Sequence, residues 1–154
     1  MSVCLTRVAP EAPEAVHLAA RCQHIRRWAI PRHTFPLDRA GYHQWRNSLK
    51  KFHAQAAGEL LVEAGYKRDL VDRVQALLQK QELARDADAQ LLEDVVCLVF
   101  LEHCFLDFAQ QHPEEKVVDI VRKPWRNMTS QGQQLALQLP LPAAAQVLIG
   151  KALA

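Results

Sequence analysis

The chain has 154 residues, 49% of them hydrophobic and 23% charged, and its 19 Lys and Arg against 17 Asp and Glu leave a formal net charge of +2. That composition is ordinary for one soluble domain, able to bury about two thirds of its unfolded surface, and it argues against disordered, collagen-like and bulk nucleic-acid scaffold classes. No uncharged apolar run approaches the roughly 20 residues of a membrane span, and the opening MSVCLTRVAP lacks a secretory-signal layout. A cytoplasmic protein with no membrane partner is expected.

Five scattered glycines, few β-branched runs and eight prolines placed at the joints predict an all-α fold, a single helical bundle over residues 1–154. Pro13 opens a helix from about Glu14 to Trp28, stopped by Pro31 and Pro36. Asp38 caps a long amphipathic helix in which Tyr42, Trp45, Leu49, Phe52, Ala56 and Leu60 recur every three or four residues, ending at Gly65. Leu70, Val71, Val74, Leu77 and Leu78 mark a helix over about Lys67 to Glu82. Capped by Asp86 or Asp88, the next run carries Leu91, Leu92, Val95, Val99, Phe100, Phe105 and Phe108; as the most apolar stretch it is expected to be the central core helix. Pro113 opens a helix toward Trp125 and Pro142 a short terminal one, while the Gln-rich stretch Met128 to Pro140 carries little signal. Cys4, Cys22, Cys97 and Cys104 form no C-x-x-C pair and read as reduced core thiols.

Charge is uneven. Residues 21–53 hold eight basic side chains against the single acid Asp38, a net +7, and residues 82–119 hold ten acids against two bases, a net −8. Either the two runs attract one another in the fold, or they build a site with a carboxylate side for metal and a basic side for phosphate. The basic run interleaves His24, His33, His43 and His53 with Trp28, Tyr42 and Trp45, and arginines beside aromatics suit nucleotide or RNA binding as well as a solvated helix face. In the acidic run, Glu93 and Asp94 are followed by Glu102, His103 and Asp107. Carboxylates in so apolar a setting need a cation, a metal or a hydrogen-bond donor. Gly-rich phosphate loops, nucleophile elbows and His-Glu-x-x-His patterns are absent, leaving a helical site of His and Asp from different helices.

The run Ala19 to Arg32, the segment Leu49 to Ala54 and the stretch Leu92 to Glu102 together resemble a family of unknown function, DUF4202, from about residue 7 to the C-terminus. A more distant resemblance is to the HD-domain superfamily of helical metal-dependent phosphohydrolases. On it, residues 14–128 form the HD-like core and 129–154 a C-terminal extension. His24 takes the His position of the His-Asp pair, His53 opens the H-x-x-x-A-x-x-L-L-like element, and Asp94 takes the place of the final Asp. Ile25 stands where the pair's aspartate belongs, Lys80 stands where a further His often closes a helix, and no His precedes residue 17. Met1 to Val8 reads as the tail of a longer first helix.

Two functional readings follow from the resemblance. One is a degenerate phosphohydrolase acting on a nucleotide or small phosphate ester. His24, His53 and Asp94 would hold Fe, Mn, Zn or Ni, Asp94 would also serve catalysis, and Arg27 with Lys51 or Lys80 would hold the phosphate charge. The other is a non-catalytic module whose former metal pocket is a basic cleft for a phosphate-bearing ligand, a nucleotide or RNA, with Arg26, Arg27 and Lys51 as its cations. A helical protein–protein adaptor is a third possibility without a partner-specific feature.

Overall fold

A computed structural model describes residues 1–153 and is all-α: among them the secondary structure is helical throughout, with no strand. In chain order the helices are α1 (Ser2–Val8), α2 (Glu14–Cys22), α3 (Arg39–Glu63), α4 (Arg68–Gln79), α5 (Ala87–His103), α6 (Phe105–Gln110), α7 (Glu114–Asn127), α8 (Ser130–Leu137) and α9 (Ala143–Leu153), with 3-10 turns at Arg27–Ala29 and Arg32–Thr34. The chain divides within α5 into two compact units, an N-terminal one over residues 4–89 together with Ser2, and a C-terminal one over 90–154 together with Met1 and Val3.

In the N-terminal unit α3 packs on α4, and α2 packs against both. The contact faces are those the three- and four-residue spacing demands. Val16, Ala19 and Ala20 of α2, Leu49, Ala57 and Leu61 of α3, and Val71, Val74, Leu77 and Leu78 of α4 are all buried. Each fully buried valine or leucine contributes about 1.5–3 kcal/mol relative to exposure. Gly58 lets α3 and α4 approach closely. A Cβ there would collide with the amide of Gln75, which itself donates to the Ala54 carbonyl at 3.0 Å.

Helix ends follow local chemistry. The Asp38 carboxylate accepts from the Gly41 amide at 2.7 Å and starts α3. The same helix closes with Gly65 N–H bonding the Val62 carbonyl and Tyr66 N–H the Leu61 carbonyl. This double bond requires a left-handed residue, and Gly65 supplies it at φ 83°. The loop after α4 is tied by Arg73, which donates to Asp86 at 2.5 and 2.8 Å and to Asp88 at 2.5 Å.

In the C-terminal unit α7 packs on α9, and α6 touches both. Lys151 of α9 reaches Glu114 of α7 at 2.7 Å, and Arg122 donates to the Ala152 carbonyl at 3.1 Å.

Four expectations from the sequence need correction. The first helical segment ends at Cys22 rather than Trp28. From there the backbone tightens into i→i−3 bonds, and Arg26 turns left-handed at φ 47°. The turn is held from outside: the Ile25 carbonyl is met by His53 and the Ile30 carbonyl by the Trp45 indole N–H, at 2.8 and 2.9 Å. The apolar run 91–108 is two helices, broken at Cys104, where φ −125° and ψ −19° interrupt the ladder. Cys104 is consequently exposed instead of packed in a core, while Cys4 and Cys97 are buried and none of the four forms a disulfide among the described residues. Pro124 lies inside α7 rather than at a joint, in its last turn, where its missing N–H leaves the Ile120 carbonyl without its i→i−4 donor. The Gln-rich stretch forms α8, capped by the Thr129 hydroxyl accepting from the Gly132 amide at 3.0 Å.

Candidate functional site

The ending of α2 at Cys22 creates the site. With the chain turned back over α3, residues of the 23–27 turn, α3 and the end of α4 line one cleft of the N-terminal unit: Gln23, His24, Arg27, Arg46, Leu49, Lys50, His53, Leu78 and Lys80. Arg46, Leu49, Lys50 and His53 recur at three- and four-residue steps, so the long helix presents one face to it. The cleft is narrow. About 20 Å³ is open to the centres of water-sized molecules, within about 310 Å³ of space including the open mouth. The inner part therefore admits a water or a single small group.

Four side chains of the lining are cationic, Arg27, Arg46, Lys50 and Lys80, and none is a carboxylate. Arg27 is held by stacking over the Trp45 ring, its guanidinium carbon 4.6 Å from the centroid. Trp45 is fixed in turn by its bond to Ile30. Lys80 enters from the C-cap of α4 in a left-handed conformation, φ 56°, where glycine is the usual residue.

The two histidines meet edge to face, with ring centroids 6.3 Å apart. His53 is 5% exposed, its Nδ1 lies 2.8 Å from the Ile25 carbonyl, and its buried Nε2 has no partner among the described residues. His24 is exposed at the cleft, yet its pKa is pushed down to about 4, by desolvation first and then by Arg27, His53, Arg46 and Lys80. The His53 pKa is lowered as well, by burial first and by Arg27 and Arg46, against the raising effect of the Ile25 carbonyl. Both rings are neutral at pH 7 in the free protein.

The remaining residues expected from the sequence lie elsewhere. Lys51 is exposed and absent from the cleft; its neighbour Lys50, about 100° round the helix, lines it instead. Arg26 is exposed beside the turn. Asp94 belongs to the C-terminal unit, where Thr129 occupies both carboxylate oxygens, one with its amide at 2.9 Å and the other with its hydroxyl. Gly132 packs so tightly on this carboxylate that a Cβ there would overlap it. Burial raises the Asp94 pKa, opposed by the two Thr129 bonds. Its geometry is that of a buried anchor for the start of α8.

A divalent metal ion fits these residues poorly. Among the described residues no group of three or more His, Cys, Asp or Glu side chains is placed to hold one. The two imidazoles of the cleft stand among four cations, which oppose a further positive charge.

A match to the family described as "Domain of unknown function (DUF4202)" extends over residues 1–149. The chain belongs to the DUF4202 family. No curated protein and no solved structure matches it. Within this DUF4202 chain, Gln23, Leu49 and Leu78 complete the cleft without having stood out in the sequence, since nothing in their residue types separates them from ordinary helix-face residues.

Proposed function

We propose that the chain is a non-catalytic module that binds a phosphate-bearing small ligand, a nucleotide, in the basic cleft of its N-terminal unit. The observation that carries this reading is the convergence of Arg27, Arg46, Lys50 and Lys80 on a lining that holds no carboxylate. Four cationic side chains lining one cleft make a positive field there that draws an anion in. Left-handed Lys80 adds support: a non-glycine residue held there costs about 1–3 kcal/mol, and such strain gathers at ligand sites. Trp28, next to Arg27 and 79% exposed, offers an indole face on which a base would stack.

The distant HD resemblance is compatible with this reading. Of the positions it equates with metal ligands, His24, His53 and Lys80 line the same cleft, while Asp94 is bonded to Thr129 in the C-terminal unit. With Ile25 in place of an aspartate and Lys80 in place of a histidine, two ligands are gone and a cation is gained. A pocket for a metal would thereby become a pocket for an anion.

Calorimetric titration with AMP, ribose 5-phosphate and inorganic phosphate tests the proposal. AMP is expected to bind more tightly than ribose 5-phosphate, with the difference removed by Trp28→Ala. The double reversal R46E/K80E should weaken all three ligands by at least about tenfold, in keeping with 1–3 kcal/mol per charge-assisted contact. Undiminished affinity in R46E/K80E rejects the cleft as the site.

A further inference from the structure

His53 is the residue of the cleft whose hydrogen bonding is unfinished. Its Nδ1 faces the Ile25 carbonyl at 2.8 Å, and a carbonyl only accepts, so the ring hydrogen sits on Nδ1. In the neutral ring Nε2 is then a bare lone pair, and it is buried with no partner among the described residues. An anion without a hydrogen would set acceptor against acceptor there. An anion carrying an O–H would complete the bond by donating to Nε2.

We infer that His53 Nε2 makes the cleft selective for oxyanions that carry a proton, hydrogen phosphate and phosphomonoesters, over sulfate and phosphodiesters. This rests on the proposed phosphate site and names the feature of the ligand that the site reads. Gln23, His24 and Arg27 from the turn, Arg46 and Lys50 from its own helix and Lys80 from α4 line the cleft with His53, and among the described residues none is placed to donate to Nε2.

The proton balance sets the discrimination. Hydrogen phosphate already holds its proton and donates it as O–H···Nε2, with no transfer. A phosphomonoester dianion takes up one proton from solvent, at little cost because its second ionisation is close to neutral pH. Sulfate carries none, so the proton must be placed on the imidazole. Burial and the charges of Arg27 and Arg46 disfavour that imidazolium.

Calorimetric titration of the full chain with inorganic phosphate, sulfate and dimethyl phosphate, at about pH 7.5 and again at about pH 5, reads this selectivity. At the higher pH phosphate is expected to bind at least about tenfold more tightly than either anion lacking an O–H, and the gap to sulfate narrows at the lower pH, where protonating the ring costs less. His53→Gln, which turns an amide N–H toward the ligand, should bring the three within about threefold. Equal affinity of the wild-type chain for phosphate and sulfate at the higher pH overturns the inference while leaving a basic anion site standing. Failure of every anion to bind, with R46E/K80E no different, overturns the phosphate site itself. Because the wild-type comparison decides, the outcome does not depend on whether His53→Gln folds.

Discussion

Lys80 and Asp94 show how one side chain can serve the fold or strain it. Lys80 occupies a left-handed C-cap at φ 56°, an arrangement that costs a non-glycine residue about 1–3 kcal/mol. Lys80→Gly is therefore expected to raise stability to urea by about 1 kcal/mol while weakening phosphate binding. A substitution that lowers both, followed by urea unfolding and calorimetry, would show that Lys80 serves packing rather than a ligand. Asp94 has the opposite role. Asp94→Ala strands the Thr129 amide and hydroxyl and should cost at least about 1–3 kcal/mol, whereas Asp94→Asn keeps an acceptor and should cost less. In the sequence Asp94 stood out because a carboxylate in an apolar run needs a partner. That argument was sound as far as it went, but residue type does not tell a metal from a threonine cap 35 positions away.

At the level of elements, α3 and α4 are held at close range by Gly58 under Gln75. Gly58→Ala must displace the Gln75 amide from the Ala54 carbonyl, and a loss of about 1–2 kcal/mol is expected despite the better helix propensity of alanine. Adding Gln75→Ala should recover part of that loss, and purely additive costs in a double-mutant cycle would contradict the packing account. Periodicity made α3, α4 and their buried faces legible, and Gly65 marked the end of α3 through its need for positive φ. The end of α2 was not legible. Local spacing favours helix to Trp28, whereas the turn found after Cys22 is tied by bonds from His53 and Trp45 to the Ile25 and Ile30 carbonyls, partners 28 and 15 residues away. Bonds of that range are invisible to local spacing, and with them the turn that brings His24 and Arg27 to the cleft. The basic run 21–53 did foreshadow Arg27, Arg46 and Lys50, though not which of Lys50 and Lys51 faces inward.

For the molecule as a whole, stability should follow the two cleft histidines. Their folded-state pKa values lie below the unfolded value near 6.5, that of His24 at about 4. Between these limits the unfolded chain binds more protons, so stability is complete above about pH 6.5 and declines as pH falls toward 4. Inorganic phosphate should offset part of the decline by pairing with the imidazolium rings. Urea unfolding at several pH values, with and without phosphate, checks both; a flat profile across this range would contradict the depressed pKa values.

The central claim is that an oxyanion occupies the cleft lined by His24, His53 and the four cations. Nitrogen-15 NMR of the histidine rings during titration with inorganic phosphate observes the site itself. The account predicts that the His24 and His53 signals shift together along one saturating curve, with the apparent pKa of His24 rising from about 4. Ring signals of His24 and His53 that stay fixed through millimolar phosphate would contradict it.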